Sequence, residues 1–450
     1  MVATRRAPKL PGEPVLGHFR LMRRDPLRFF TEARERVGDV ASLRFGRIVA
    51  HLLAHPDHVR HVLQENHAAY SKRSPGFEKL RLVLGNGLLT SEGDFWRRQR
   101  RIAAPAFHHQ RLAGFAETMT RAGEDLYERW DRAAAERTPI DLANEMMRVT
   151  LRIVGETLLG TDVSGDTDVV GRAVSHVIED VNERIGAIVD LPLRVPTPRN
   201  RRLKRWIAAL DAVVGRAIAE RRRSGAARAD LLDMLMRAKD DDTGEGMSDA
   251  QLRDEVMTIF LAGHETTANA MTWTFYCLSL VPESDRRLYA ELHEALGARS
   301  FRLEDAPALP YAQRVIKESM RLYPPAWIIG RMTERDDEVA GYRLPAGGLV
   351  FVSPYVTQRH PDLWDNPCGF DPDRFLPERE AARPRFAYFP FGGGPRVCIG
   401  NGFAMQEALV LLATLAKRYR LELAPGHPVV PEPLVTLRPK HGMKMFVRRR

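Results

Sequence analysis

Apolar residues recur every three or four positions from about Asp94 to Leu280, the period of amphipathic helices. Proline and glycine interrupt that pattern at Pro105, at 192–198 and around Gly244-Glu245-Gly246, so several helices are expected. Ahead of it, Pro26–Arg34 reads as a short helix, while Asp39–Phe45 and Ile48–Leu53 read as two strands turning at Gly46. After Pro324 the chain is punctuated by Gly and Pro, with strand-like text at 337–348 and a terminal hairpin expected from 434–438 and 443–447. The pattern predicts a mainly α protein with small antiparallel β-sheets, an α+β class, and shows no βαβ alternation.

One predicted helix is unusually long. Ser248 with Gln251 three residues on makes a capping box ahead of an apolar run. No proline follows until Pro282, so the helix reaches about 50 Å at 1.5 Å per residue. Its centre reads Ala262-Gly-His-Glu-Thr-Thr267, a place where burying a carboxyl and two hydroxyls is unfavourable. Threonines there can bond back to carbonyls one turn earlier and bend the helix. Gly263 lowers helix stability by about 1 kcal/mol and opens a groove on its face. Glu265 beside Thr266 in such a groove can hand on protons. His264, a lone histidine, reads as packed or exposed, not as a metal ligand.

A second focus is Phe391-Gly-Gly-Gly-Pro-Arg-Val-Cys398-Ile-Gly400, a cysteine in a glycine-rich loop ahead of the apolar helix 403–415. Backbone N–H groups and a helix N-terminus stabilise a thiolate. Glycines let the backbone approach something large and flat, and Arg396 supplies charge for an anionic group on it. Haem meets all three demands, since a Cys thiolate is one of its axial ligands.

Composition narrows the picture. The chain has 450 residues, is 44% hydrophobic and lacks a linker tract or repeat, so one domain over 1–450 is expected, with a β-rich N-terminal lobe and a helical lobe. Its net charge of +10 comes from arginines scattered through helical segments, which argues for no nucleic-acid module and leaves an acidic protein partner open. Three cysteines, Cys277, Cys368 and Cys398, make no disulfide framework and suit a reducing cytoplasm. No signal core or membrane anchor is expected. The histidines at 51, 55, 58, 61, 108 and 109 read as surface residues, because Pro56 breaks the spacing and no acid or thiol completes a zinc set.

The pattern Phe391-x-x-Gly394-x-Arg396-x-Cys398-x-Gly400 resembles the haem loop of the cytochrome P-450 family, the haem-thiolate monooxygenases. Ala262–Thr267 is similar to that family's oxygen-activation motif, with Glu265 as acid and Thr266 as alcohol. Glu318 and Arg321, on one face of a helix ending before Pro324, resemble its Glu-x-x-Arg motif, with Arg374 as a third, structural member. Trp96 and Arg100, one helical turn apart, match the family's spacing for a haem propionate; Arg331 and Arg396 match its other propionate partners.

The resemblance implies the cytochrome P-450 fold, with haem b between the long central helix and the helix after the cysteine loop, and Cys398 as iron ligand. It implies insertion of one atom of O2 into an apolar molecule, a terpenoid, steroid or fatty acyl compound. Pocket walls would come from 74–89, from 180–200, from Phe260 and Ala262, from Ala326, Trp327, Ile328 and Ile329, and from Leu434 and Val435 within 433–436. No flavin or iron–sulfur module follows the cysteine helix, so a separate ferredoxin or flavodoxin with its reductase is expected, docking on Arg97, Arg98, Arg101, Lys417 and Arg418 of a monomer. A peroxide-driven haem enzyme and a haem-binding sensor are the alternatives; neither accounts for an acid–alcohol pair in mid-helix.

Overall fold

A computed structural model describes residues 5–160, 167–187, 190–225, 230–240 and 242–450; positions 188 and 189 of the expected 180–200 wall lie outside them. The chain divides into two compact units, Met1–Glu78 with Met320–Cys398, and Lys79–Ser319 with Ile399–Arg450.

The first unit is built on a five-stranded sheet in the order Val40–Phe45, Ile48–Leu53, Leu349–Val352, Ile329–Thr333, Tyr70–Ser71. The hairpin turning at Gly46 forms as expected, pairing Val40 with Leu53 and Phe45 with Ile48. Helix Pro26–Val37 is capped by the Asp25 side chain, which accepts the Arg28 amide, and it buries Leu27, Phe29, Phe30 and Ala33. The sheets are not purely antiparallel as expected. Ile48–Leu53 runs parallel to Leu349–Val352, and Arg5–Arg6 runs parallel to Tyr342–Leu344. Both parallel pairs join segments about three hundred residues apart, and alternation along one strand carries no information on its partner's direction.

The second unit surrounds helix Asp249–Leu280, whose Ser248–Gln251 capping box closes in both directions at 3.3 and 2.9 Å. It packs against helices Leu142–Val154 and Asn401–Arg418. The latter buries every residue from Glu407 to Ala416, as a helix enclosed on all sides does. The terminal hairpin does not form. Lys444–Arg449 pairs instead with Tyr419–Leu423 and with Pro139–Asp141, while Leu437–Pro439 pairs with Pro431–Pro433. Lys444–Arg449 lies between two antiparallel partners, so its backbone is paired on both sides, which a local hairpin alone would not provide. Among the described residues no helix is long and apolar enough to cross a membrane.

Candidate active site

In the first unit, backbone contacts fix the loop that carries Cys398. The Cys398 amide donates to the Phe391 carbonyl at 3.0 Å, and the Val397 amide donates to the Gly394 carbonyl at 3.1 Å. Gly394 has φ +64°, and a Cβ there would overlap the Leu63 carbonyl oxygen. Gly393 presses on the Phe386 ring in the same way. These two positions need glycine for close approach, not for flexibility. The loop leaves the Cys398 side chain accessible, with Phe391 and Arg396 half-buried. Gly400 then caps helix Asn401–Arg418 without a side-chain bond, the Gly402 amide donates to the Asn401 side chain at 2.6 Å, and the positive end of the helix favours a nearby negative charge.

Arg321 and Glu318 are both fully buried on helix Pro310–Leu322. The Arg321 guanidinium donates to the carbonyls of Gln358, Pro367 and Gly369 at 2.9, 2.6 and 2.8 Å. Arg374 donates to the neighbouring Asn366 carbonyl at 3.0 Å. Two arginines thus hold the carbonyl-rich turn 366–369. Arg331 is buried on strand Ile329–Thr333 and donates to the Gly330 carbonyl at 2.9 Å. Of the expected wall residues here, Ala326 is exposed, and Ile328 and Ile329 are half-buried. Trp327 is not on a wall: its ring packs 6.2 Å from Phe30 in an aromatic core, and its carbonyl accepts the Ser353 hydroxyl at 2.7 Å.

In the second unit the middle of the long helix is buried on almost every side. From Glu255 to Phe275 only Ile259, Ala262, Gly263 and Thr266 escape burial, and their spacing of three, one and three makes a single accessible stripe. Phe260 lies off it, 1% exposed and packed on the His264 ring; Ile259, which sequence reasoning missed, lies on it. Thr266 donates to the Ala262 carbonyl at 2.7 Å and Thr267 to the Gly263 carbonyl at 3.3 Å, the back-bonding expected of mid-helix threonines.

Glu265 points elsewhere. Its Oε1 accepts the Thr436 hydroxyl at 2.7 Å, and Thr436 accepts the Asn269 amide at 3.1 Å, all three buried. Burial raises the Glu265 pKa, opposed by the Thr436 hydrogen bond and the Arg438 charge. His264 is fully buried, and burial lowers its pKa to about 4, so it stays neutral. Its carbonyl accepts the Thr150 hydroxyl at 3.0 Å. Glu407, from the helix after the cysteine, is fully buried with Thr267 as its polar neighbour; burial pushes it up to about 8. The signal for Glu407 stood in the sequence as one acid inside an apolar run.

Trp96 and Arg100 are half-buried on helix Gly93–Ala103. Gln99 beside them is buried between the Ser91 hydroxyl and the Asn86 carbonyl. The loop ahead of this helix is tied to the long helix, because Asp254 accepts the Asn86 amide at 2.7 Å and Glu255 accepts the Leu88 amide at 2.9 Å. Leu434 and Val435 are half-buried on the turn that carries Thr436.

The expected basic docking face is corrected. Arg97 pairs with Asp94, Arg98 with Glu245, Arg101 with Asp240 and Asp242, and Arg418 with Asp131, while Lys417 donates to the Arg299 carbonyl. Neighbouring acids offset most of that charge. The histidines also divide: His108 and His109 are exposed, but His51 is buried in its strand and His61 bonds Asp337 at 2.8 Å. Among the described residues no group of three side chains could hold a metal ion.

Comparison with known proteins agrees with this geometry. The family model described as cytochrome P-450 matches residues 8–445. Cyclooctatin synthase of Streptomyces melanosporofaciens is 40% identical over 95% of this chain and 92% of its own length. Pentalenene oxygenase of Streptomyces avermitilis is 36% identical over 95% of this chain and 94% of its own. The cytochrome P450DA haem domain superposes with a TM-score of 0.89 at 26% identity, covering 99% of this chain and 98% of that one.

Proposed function

The chain belongs to the cytochrome P-450 family, and from that premise we propose that the Cys398 thiolate would hold the iron of a haem b used to oxidise a terpenoid-like cyclic hydrocarbon. Membership makes it an oxidoreductase of the monooxygenase type, with a haem cofactor, a hydrophobic substrate, O2 and a redox partner. The observation that carries the Cys398 assignment is its loop, where Gly394 sits against the Leu63 carbonyl and the thiol is accessible just ahead of a helix N-terminus.

Within the first unit the Cys398 sulfur, the Phe391 ring, the Gly394 backbone and the cations Arg331 and Arg396 fit a haem. Within the second unit, taken by itself, the N–H donors of Trp96 and Arg100 suit a propionate, and Gly400 starts the following helix. Bound haem supplies the redox chemistry of O2, with thiolate donation favouring O–O cleavage. The chain's own residues do the rest. In the second unit Thr266 offers its hydroxyl on the accessible stripe, Glu265 holds a proton behind it, and Ile259, Ala262, Leu434 and Val435 offer apolar surface that excludes water; Ala326, Ile328 and Ile329 offer such surface in the first. Arg321 and Arg374 hold backbone carbonyls in place, with Glu318 buried one turn before Arg321, and the three take a structural part.

The terpenoid arm of the expected substrates is favoured by the relatives' names, since pentalenene denotes an olefin and cyclooctat-9-en-7-ol an unsaturated alcohol. A ferredoxin or flavodoxin with its reductase remains the proposed electron source, and a cytoplasmic monomer the proposed state. One domain over 1–450 is the proposed working unit, because each compact unit takes two separate chain segments and neither can be excised whole. The test is the visible spectrum of the dithionite-reduced protein under carbon monoxide, followed by turnover of cyclic olefins with a surrogate ferredoxin system. A Soret band red-shifted from that of histidine-ligated haem, with an oxygenated product, is expected. A histidine-type band overturns the thiolate assignment; a thiolate band without consumption of reductant favours a sensor.

A further inference from the structure

Glu265 is held by a residue far away in sequence, on the short hairpin Pro431–Pro439. The Thr436 oxygen accepts a hydrogen bond from the Asn269 amide, so the one hydroxyl proton of Thr436 is directed at Glu265 Oε1. In the neutral carboxyl that burial favours, the carbonyl oxygen is the better acceptor of this bond, which places the acid proton on the other oxygen. We propose that Thr436, oriented by Asn269, is a positioning residue that confines the transferable proton of Glu265 to Oε2.

The surroundings support a mobile proton at this acid and a fixed orientation. Glu265, Thr436 and Asn269 are 3, 6 and 4% exposed, so water does not compete for the bonds between them. The charged groups facing the cluster are Arg438 on the same hairpin, its partners Glu432 at 2.9 Å and Glu179 at 3.0 Å, and, next to Glu265 on its own helix, neutral His264. Arg438 is a quarter exposed, which sets the solvent end of the cluster on the hairpin side. With the proton on Oε2, its loss or return leaves the Thr436 bond to Oε1 in place.

This rests on Glu265 being the acid of the proposed function, and the test separates the two. The holoenzyme is compared with Thr436→Val, Thr436→Ser, Asn269→Leu and Glu265→Gln, each first checked for its reduced carbon monoxide band. Infrared spectra give the Glu265 carboxyl stretch, identified by its loss in Glu265→Gln, and a surrogate ferredoxin system gives the share of reductant released as peroxide. Thr436→Val should move the stretch to higher frequency and raise the peroxide share about fivefold, the scale of one lost hydrogen bond. Thr436→Ser should restore both, and Asn269→Leu should fall between. An unmoved stretch in Thr436→Val overturns the proposal, as does a moved stretch with an unchanged peroxide share. If Glu265→Gln itself leaves that share unchanged, the acid reading fails first.

Discussion

The cysteine loop and the acid–alcohol segment solve opposite problems. At 391–398 the function needs a backbone shape, and the sequence supplies it by leaving side chains out: Gly393 and Gly394 are pressed on Phe386 and on the Leu63 carbonyl, and Cys398 stays accessible. At 262–267 the backbone is an ordinary helix, and the function needs polar groups where a helix interior should be apolar. There Glu265 is stabilised by side chains from elsewhere, while Thr266 is satisfied within its own turn. A site made of backbone shape breaks all at once when a methyl is added. A site made of buried side-chain bonds degrades by degrees.

The sharpest cut through that comparison is at Cys398. Cys398→Ser should abolish the red-shifted reduced carbon monoxide band while leaving the far-ultraviolet circular dichroism unchanged, because the side chain is accessible and serine is nearly the same size. Retention of the band would move the ligand elsewhere. Gly394→Ala should have nearly as large an effect by a different route. The new Cβ would meet a backbone oxygen that cannot swing aside, in a left-handed conformation already strained for alanine by about 1–2 kcal/mol. Loss of haem content, read as the ratio of Soret to protein absorbance, should accompany a lowered unfolding midpoint.

The residues that make the loop lie within ten positions of one another, which is why its motif was legible, whereas the Leu63 carbonyl that Gly394 meets lies far away in the chain. The helix Asp249–Leu280, its capping box and the back-bonding of Thr266 and Thr267 were legible for the same reason: each depends on neighbours within one or two turns. What binds Glu265 was not, because Thr436 lies 171 positions away and looked like another wall residue. Distance in sequence also hid the parallel pairing of Ile48–Leu53 with Leu349–Val352 and the partner of Lys444–Arg449. The scattered arginines of helix Gly93–Ala103 misled in another way, since their charge was read without the acids that the fold brings to them.

Glu407 gives a graded effect on the helical side of the comparison. Its folded pKa is raised to about 8, so the folded protein keeps a proton that the unfolded chain loses above about 4.5. Stability is therefore full below that value and falls as pH rises, levelling off beyond about 8, with a total on the order of a few kcal/mol. Glu255, raised to about 7 by burial, adds to the same decline. His264 works in the other direction, since its pKa is lowered to about 4 and it withdraws stability as pH falls below 6.5. Urea midpoints for Glu407→Gln should accordingly lose much of the difference between about pH 6 and about pH 8, leaving the slope due to Glu255. An unchanged slope would mean that the carboxyl reaches water.

Thr266 should show the smallest stability effect and thereby mark where the two designs part. Its hydroxyl donates only to Ala262 of the preceding turn, on the accessible stripe, and a carbonyl that loses this bond keeps its helical one. Thr266→Val preserves shape and β-branching, so the unfolding free energy should shift by less than about 1 kcal/mol. The peroxide share should nonetheless rise, because the hydroxyl is the group that faces outward. Thr267→Val, one residue on but buried towards Glu407, should show the reverse: a larger stability change and little effect on peroxide. Equal effects from both variants would place the working hydroxyl by helix position alone and remove the distinction between the stripe and the buried face.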